Sequence, residues 1–435
     1  MRFLGIGDVC DLHALYRSLL REGHEVRVYI GDPACHDTGR GLVDRVDEWR
    51  DHLPWVREAA SNGILLFENV AAGRGAEQDE LRRQGYHVIG GSAFGDRLEN
   101  DRAFAQAVLS DLGLRTCRIW EFHDAAVAVD FLDRNPGRYV LKMNGPTLLS
   151  SDTYIGQFDD GRDVRAMVTA KVRARGKISF VLMEHLKGIE MGVGAYFNGS
   201  DFLLPACLDW EHKRFFAGDM GELTGEMGTV VTYSRTKTFF NMTLAKMAPL
   251  LKASGYCGYI NLNTIVNEEG IWPLEFTCRF GYPGFAILDP LQTEGWSSLF
   301  SSMVSRDRLD FPIEPGFSLG IVMTTPPFPY TRKQFADSIG LPILMQPEHA
   351  WEDEPHLHYG EVGLLEEQLV TTGIAGWTMV VTGCGMTVGE AKEGAYRRAA
   401  RVYAPNIRYR LDIGDRLVAG DLERVERLGL FDAPL

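Results

Sequence analysis

Short apolar runs separated by amphipathic stretches dominate the first hundred residues. MRFLGIG, EVRVYIGD, GILLFEN and YHVIGG are compact apolar segments bounded by glycine or polar residues, and they read as strands. Between the first two, DLHALYRSLLREGH sets Leu12, Leu15, Leu19 and Leu20 near helical spacing, with Gly23 as the stop. AEQDELRRQG supplies another helix before the fourth run. Strands alternating with helices predict a parallel α/β sheet that ends near Ser92.

The pattern then changes. A helix over about Asp101 to Leu112 is followed by YVLKMNG, a strand with a lysine near its exit, and by ISFVLMEHLKG. MGVGAYFNGSDFLLPACLDWEHKR predicts a hairpin turning at Asn198-Gly199, and CGYINLNTIVNEEGIWPLEFTCRFG a second one turning at Glu269-Gly270. A long helix is predicted between them, over about Lys237 to Ser254. A last α/β region starts near Phe311, with the strand GWTMVVTGCG and the helix VGEAKEGAYRRAARVY. The expected organisation is an N-terminal α/β unit over 1–98, a mainly antiparallel unit over 99–310, and a C-terminal α/β unit over 311–435.

Composition narrows the class. The 435 residues are 45% hydrophobic and 24% charged, which suits a globular chain of two or three domains with a large core. A net charge of -14 argues against nucleic acid or an anionic membrane as partner. No apolar run is long enough to span a membrane, and MRFLGIGDVC is too short for a signal peptide. Seven scattered cysteines without a CxxC pair fit reduced thiols and a cytoplasmic location. One stretch fits none of this ordinary picture. In LEFTCRFGYPG, Glu275 and Arg279 stand beside Phe276, Cys278 and Phe280, where a core would hold no charge.

Six blocks in order resemble the ATP-grasp ligases, most closely the glycinamide ribonucleotide synthetase (phosphoribosylamine–glycine ligase) family. They are YVLKMNGP, FVLMEHLKGIEMGVGAYFNG, LDWEHKRFFAGDMGELTGEMGTV, GYINLNTIVNEEGIWPLEFTCRFGYPG, VTGCGMTVGEAKEGAYRRAA and YRLDIGDR, and together they cover nearly the whole chain. The resemblance implies an ATP-grasp fold: an N-terminal parallel α/β domain, a lid subdomain over about 115–183, an antiparallel sheet core and a small C-terminal α/β domain. It implies ATP and Mg2+ as cofactors, and an amide made from a small carboxylate and an amine through an acyl phosphate. Oligomeric state is left open.

The same resemblance assigns roles. Lys142 would meet the ATP phosphates, with Arg102 where the family has a lysine. Glu184 and Glu190 would flank the adenosine, and Glu275 and Thr277 would stand at the metal positions. Arg279, Lys213 and Arg214 would stabilise charge on the reacting carboxylate and the phosphoryl group. Asp219, Thr224 and Gly225 of the glycine-rich third block would face substrate.

Departures from the family pattern matter equally. Its first turn, which helps hold phosphoribosylamine, is here Gly7-Asp8-Val9-Cys10-Asp11-Leu12-His13-Ala14. Asp8 and Asp11 would repel a phosphate, so with His13 they predict a neutral or cationic acceptor amine. The lid GPTLLSSDTYIG keeps Ser150, Ser151 and Thr153 as donors but has lost the family's lysine. Glu226 adds a carboxylate that is expected to share the metal with Glu275. The leading reading is a ligase with a new acceptor. The alternatives are phosphoribosylamine–glycine ligase itself and a weakened, nucleotide-binding relative. His356 and His358 lie on one face of a strand, a weak metal-pair signal.

Overall fold

The computed structural model describes residues 1–68, 74–143, 153–175, 179–330, 338–345 and 354–433. The lid residues Ser150 and Ser151 lie outside these, while Thr153 lies within them. The chain forms the mixed α/β and α+β architecture of the ATP-grasp fold.

The first sheet contains β1 (Arg2–Gly7), β2 (Glu25–Ile30), β3 (Asp44–Val46), β4 (Gly63–Phe67) and β5 (His87–Ile89). All its pairings are parallel, in the order β3-β2-β1-β4-β5. The order reverses between β1 and β4, so a crevice opens at the carboxyl ends of those two strands. Asp8 and Asp11 follow β1 there, and Glu68 follows β4. The helix His13–Arg21 leaves this crevice and buries Leu15 and Leu19.

A second, four-stranded antiparallel sheet contains β6 (Ile119–Phe122), β7 (Tyr139–Met143), β8 (Thr153–Ile155) and β9 (Phe180–Glu184), in the order β6-β9-β7-β8. It has its own core, built on Phe122, Leu132, Tyr139, Leu141 and Phe180. Lys142 lies on β7, at the open side of this layer.

The third sheet is the largest. β10 (Ile189–Asn198) and β11 (Phe202–Glu211) form the first predicted hairpin, and Asn198 closes it by accepting the amides of Ser200 and Asp201. A small hairpin of β12 (Arg214–Phe216) and β13 (Met220–Leu223) follows, then β14 (Gly228–Thr232). β15 (Cys257–Asn267) and β16 (Gly270–Thr277) make the second predicted hairpin, with Asn267 opposite Gly270 so that Glu268-Glu269 form the turn. β17 (Phe317–Thr324) pairs with β14 and is in turn paired by a strand from the C-terminal region. That region adds β18 (Leu344–Met345), β19 (Leu357–Tyr359), the hairpin β20 (Val362–Leu365) with β21 (Gln368–Thr371), and β22 (Trp377–Gly385). The full order is β16-β15-β10-β11-β14-β17-β22-β19. After Phe311, β17, β22 and β19 therefore extend the central sheet, while β18 and the β20–β21 hairpin pair outside it. Backbone hydrogen bonding from β14 to β17 joins them, and apolar alternation does not show which edge a strand will join.

The continuous helix predicted over 237–254 is broken into Lys237–Met242 and Ala248–Ala253 by a tight turn at Leu244–Met247. Thr243 leaves helical geometry (φ -126, ψ -97), and its hydroxyl bonds back to the Phe239 carbonyl. Pro249, which lacks an N–H, then sits in the first turn of the second helix, where no donor is needed. Among the described residues no helix is long and apolar enough to cross a membrane.

Candidate active site

One face of the central sheet collects the chemistry. On β11 and just beyond it, Asp209, Glu211 and Lys213 alternate with Trp210 and His212, so the three charged side chains share a face. Register brings Asp209 opposite Gly192 of β10, Gly192 opposite Asn263 of β15, and Asn263 opposite Glu275 of β16. Gly192 has to be glycine: a Cβ there would collide with the Asp209 carboxylate, and one on Gly194 would collide with the Tyr259 hydroxyl. Two residues along, Asn261 lies opposite Thr277.

Lys213 is the hub. Its Nζ lies 2.9 Å from Glu190, 3.1 Å from Glu211 and 3.6 Å from Glu275. Glu190 also accepts from Asn263 Nδ2 at 2.8 Å. Burial alone would lower the Lys213 pKa, but the three carboxylates outweigh it and hold the amine well above its ordinary value. Glu275 is held well below the usual carboxylate range. Lys142 is the main cause, at 3.5 Å, and Lys213 and Arg102, the latter at 3.6 Å, outweigh the opposing effect of burial. Arg279 does not pair with Glu275. Its Nε donates to Glu99 at 2.9 Å, and the Cys278 amide donates to the same carboxylate. The charges in LEFTCRFGYPG thus serve different partners on opposite sides of the strand end.

Lys142, Arg102, Glu190, Glu211, Lys213 and Glu275 line a cleft of about 1350 Å³ between the second and third sheets. Glu184 stands at its rim in a two-pronged pair with Arg118, both contacts 2.9 Å. Arg214 donates to the Gly221 carbonyl at 2.8 Å, Thr224 bonds the Lys213 carbonyl, and Asp219 pairs with Arg410 and Arg416. Thr224 and Gly225 border both this cleft and a second cavity of about 480 Å³ behind it. A sheet face with clustered cations, roofed by a small separate sheet, is the geometry of a nucleotide clamp.

Residues 100–285 match the family described as phosphoribosylglycinamide synthetase, ATP-grasp (A) domain. A phosphoribosylamine–glycine ligase of Nostoc sp. is 27% identical over 437 residues, covering 96% of this chain and 100% of its own. The solved phosphoribosylamine–glycine ligase of Thermotoga maritima superposes with a TM-score of 0.71 at 23% identity, covering 95% of this chain and all of its own. The biotin carboxylase domain of Hydrogenobacter thermophilus 2-oxoglutarate carboxylase, solved with MgADP, superposes at 0.63 with 12% identity, covering 99% of this chain and 96% of its own. Residues 100–285 thus match an ATP-grasp domain, and the chain has the ATP-grasp fold.

The residues named from sequence do not all converge. Lys142, Arg102, Glu184, Glu190, Lys213, Arg214, Asp219 and Glu275 line the cleft, while Arg279, Thr277, Glu226 and Asp11 line the cavity behind it. Asp8 and His13 are placed elsewhere. Asp8 is engaged by Arg74 at 2.6 Å. His13 is fully buried, and its Nδ1 donates to the Gly360 carbonyl at 2.9 Å. Burial lowers its pKa to about 4, so the ring is neutral at physiological pH. Glu226 accepts from the Thr229 hydroxyl and lines the second cavity with Glu211, Asp209 and Glu275. The rings of His356 and His358 both bond the Thr382 hydroxyl, at 3.0 and 3.2 Å. Among the described residues no group of three or more His, Cys, Asp or Glu has the arrangement of a metal site.

Four residues escaped the sequence reading: Glu68, Glu99, Asp209 and Asn261. The Asp-x-Glu-x-Lys alternation of LDWEHKR was a legible signal for Asp209. Glu68 had none beyond being an acid after a buried strand. It is fully buried, accepting from the amides of Asp11 at 2.9 Å and Leu12 at 3.4 Å and from the Tyr16 hydroxyl at 3.0 Å. Burial, then the nearby Asp11, push its pKa up to about 8. A carboxyl whose folded pKa is raised binds its proton more tightly in the native state. Its share of stability is therefore fully present below the unfolded value of about 4.3 and falls as pH rises towards 8. Glu68→Gln is expected to flatten this part of the stability profile, measured by urea unfolding at pH 5 and pH 8. An unchanged slope would show that Glu68 is ionised throughout.

Proposed function

We propose that the chain joins a carboxylate to an amine other than phosphoribosylamine, at the expense of ATP. A carboxylate oxygen attacks the γ-phosphorus and ADP leaves, giving an acyl phosphate. The amine nitrogen then attacks the acyl carbon, phosphate leaves, and the nitrogen loses a proton. Lys142, Arg102 and Lys213 face the phosphates, and Arg279 and Arg214 orient the reacting carboxylate and phosphoryl group. Glu184 and Glu190 flank the adenosine side.

The residues also suit magnesium. Glu275 is an ionised, hard oxygen donor surrounded by cations that attract phosphate, and magnesium is usually held by one or two carboxylates together with phosphate oxygens. Glu275 would hold the ion with Thr277 nearby, and the ion would neutralise charge on the phosphates.

The acceptor part rests on one observation. The amides of Asp11 and Leu12, just ahead of the helix His13–Arg21, are the donors that a phosphate would use at this crevice, and both point at the Glu68 carboxyl. An internal acid occupies the place of an external anion. The test is ADP release with Mg-ATP across a panel of carboxylates and amines that includes glycine with phosphoribosylamine. Turnover with an unphosphorylated amine is expected. Turnover with phosphoribosylamine alone would overturn the acceptor reading. ATP binding without ADP release in any mixture would favour a nucleotide-binding relative.

A further inference from the structure

Arg410 follows Arg214 by 196 residues, yet the block YRLDIGDR closes on the β12–β13 hairpin with every second residue. Arg410 is buried. Its Nη1 donates to the Arg214 carbonyl at 3.0 Å, its Nη2 to Asp219 at 2.8 Å and to Asp412 at 3.0 Å, and its Nε to Asp412. Asp412 in turn accepts the Gly218 amide at 2.9 Å. Gly414 donates its amide to the His212 ring at 3.2 Å, just ahead of the hairpin, and Arg416 reaches Asp219 at 3.2 Å. The root, the first strand and the tip of the hairpin are therefore all gripped by one segment.

The hairpin has little else to hold it. Two short strands alone are marginally stable in water. Phe215 packs with Met227 and Phe328 at the base, but Phe216 and Met220 beside the tip are exposed, so apolar burial does not anchor that end. Asp219 stands in left-handed backbone geometry at φ +54, which is uncommon for a residue with a side chain and persists where surrounding contacts impose it. Its carboxylate is the group that Arg410 and Arg416 share.

The same hairpin stands where the two cavities meet. Arg214 and Asp219 line the larger cleft, and Leu223, Thr224 and Gly225 line both the cleft and the cavity behind it. Arg410 and Asp412 line neither. We propose that Arg410 and Asp412 are positioning residues, which touch no substrate but fix the hairpin so that Arg214 and the Leu223–Gly225 wall hold the geometry of phosphoryl transfer. The inference rests on the ligase reading and deepens it. Phosphoryl transfer depends mainly on placement, and a displacement of about 1 Å caused by a distant change can cost about 10²-fold in rate.

The experiment is amide hydrogen exchange of the full chain, comparing wild type with Arg410→Lys and Asp412→Asn. Turnover is followed by ADP release and binding of Mg-AMP-PNP by calorimetry. In wild type, residues 214–223 are expected to be protected, and Mg-AMP-PNP slows their exchange further. In each variant this segment exchanges about tenfold faster, while the central sheet and the unfolding midpoint stay unchanged. The kcat falls about 10–100-fold and affinity for the analogue stays within about threefold, a split that a loss of overall stability does not produce. If one variant does not fold, the other variant and the wild-type protection decide. A wild-type hairpin that exchanges as freely as an unheld surface loop overturns the proposal. So does exchange that rises equally in the central sheet, and so does a loosened hairpin with kcat unchanged. The two readings fail separately. No ADP release from any mixture, with the hairpin loosened in the variants and slowed by Mg-AMP-PNP in wild type, sinks the ligase reading alone. Equal ADP release by wild type and variants sinks the positioning role alone.

Discussion

Glu275→Gln is expected to lower ADP release by about 10²–10³-fold while ATP binding persists. The side chain keeps its shape, so a packing defect is not the cause. What is lost is the one carboxylate that Lys142, Lys213 and Arg102 share, at 3.5 to 3.6 Å. Without it the three cations crowd one another and the phosphates, which favours binding of the anion itself. The same change removes the best hard-oxygen donor for magnesium, so turnover needs more of the ion. The variant is measured by ATP affinity, by kcat and by the magnesium dependence of kcat. A proportional loss of binding and turnover would place Glu275 in the scaffold of the cleft and not in its chemistry. Because Glu275 is ionised far below neutrality, it adds no acidic limb to the activity profile above about pH 4. Its contribution to stability is present above the unfolded carboxylate value of about 4.3 and is lost as pH falls further.

Lys213→Met is expected to cost about 3–5 kcal/mol of stability, the usual range for removing one partner of a buried ion cluster. The Lys213 side chain is 23% exposed, and its amine is shared by Glu190, Glu211 and Glu275. Methionine fills the space of the stem but leaves Glu190 and Glu211 with their charges uncompensated. Each then has a folded pKa above its unfolded one. The deficit therefore grows as pH rises from about 4.3 to neutrality, and the variant approaches the wild type in acid. Urea midpoints across that range measure it. Lys213→Arg restores the charge, but its planar fork does not meet three carboxylates from one point, so it rescues only part of the loss. A deficit independent of pH would mean that Lys213 stabilises the cleft through packing alone.

Legibility followed locality. The alternating strands and helices of the first sheet and the two hairpins were readable because each rests on neighbours in sequence: apolar period, glycine stops, and polar turns, although the second turn closes at Glu268-Glu269, one residue before the predicted Glu269-Gly270. Lys213 and Arg214 were read together, as cations for the reacting groups. That Lys213 is held by Glu190 and Glu275 while Asp209 turns to Asn261 was not readable, because those partners come from β10, β15 and β16. The break at Thr243 was signalled by Pro249 but outweighed by the apolar period on either side.

The sequence by itself determined the ATP-grasp class, the order of the strands along the chain, and the charged residues kept at the ends of β7, β11 and β16. It also carried the departure of the first turn, Gly7 to Ala14, from the family pattern. Only the tertiary structure decided which charges meet. It turned Arg279 to Glu99, set Asp8 against Arg74, buried His13 under Gly360 and brought Glu68 to the amides of Asp11 and Leu12. The reason is physical. A buried charge is stable only beside a partner, and the partners here lie between 56 and 347 residues away along the chain, where register and sheet packing, not local pattern, bring them together.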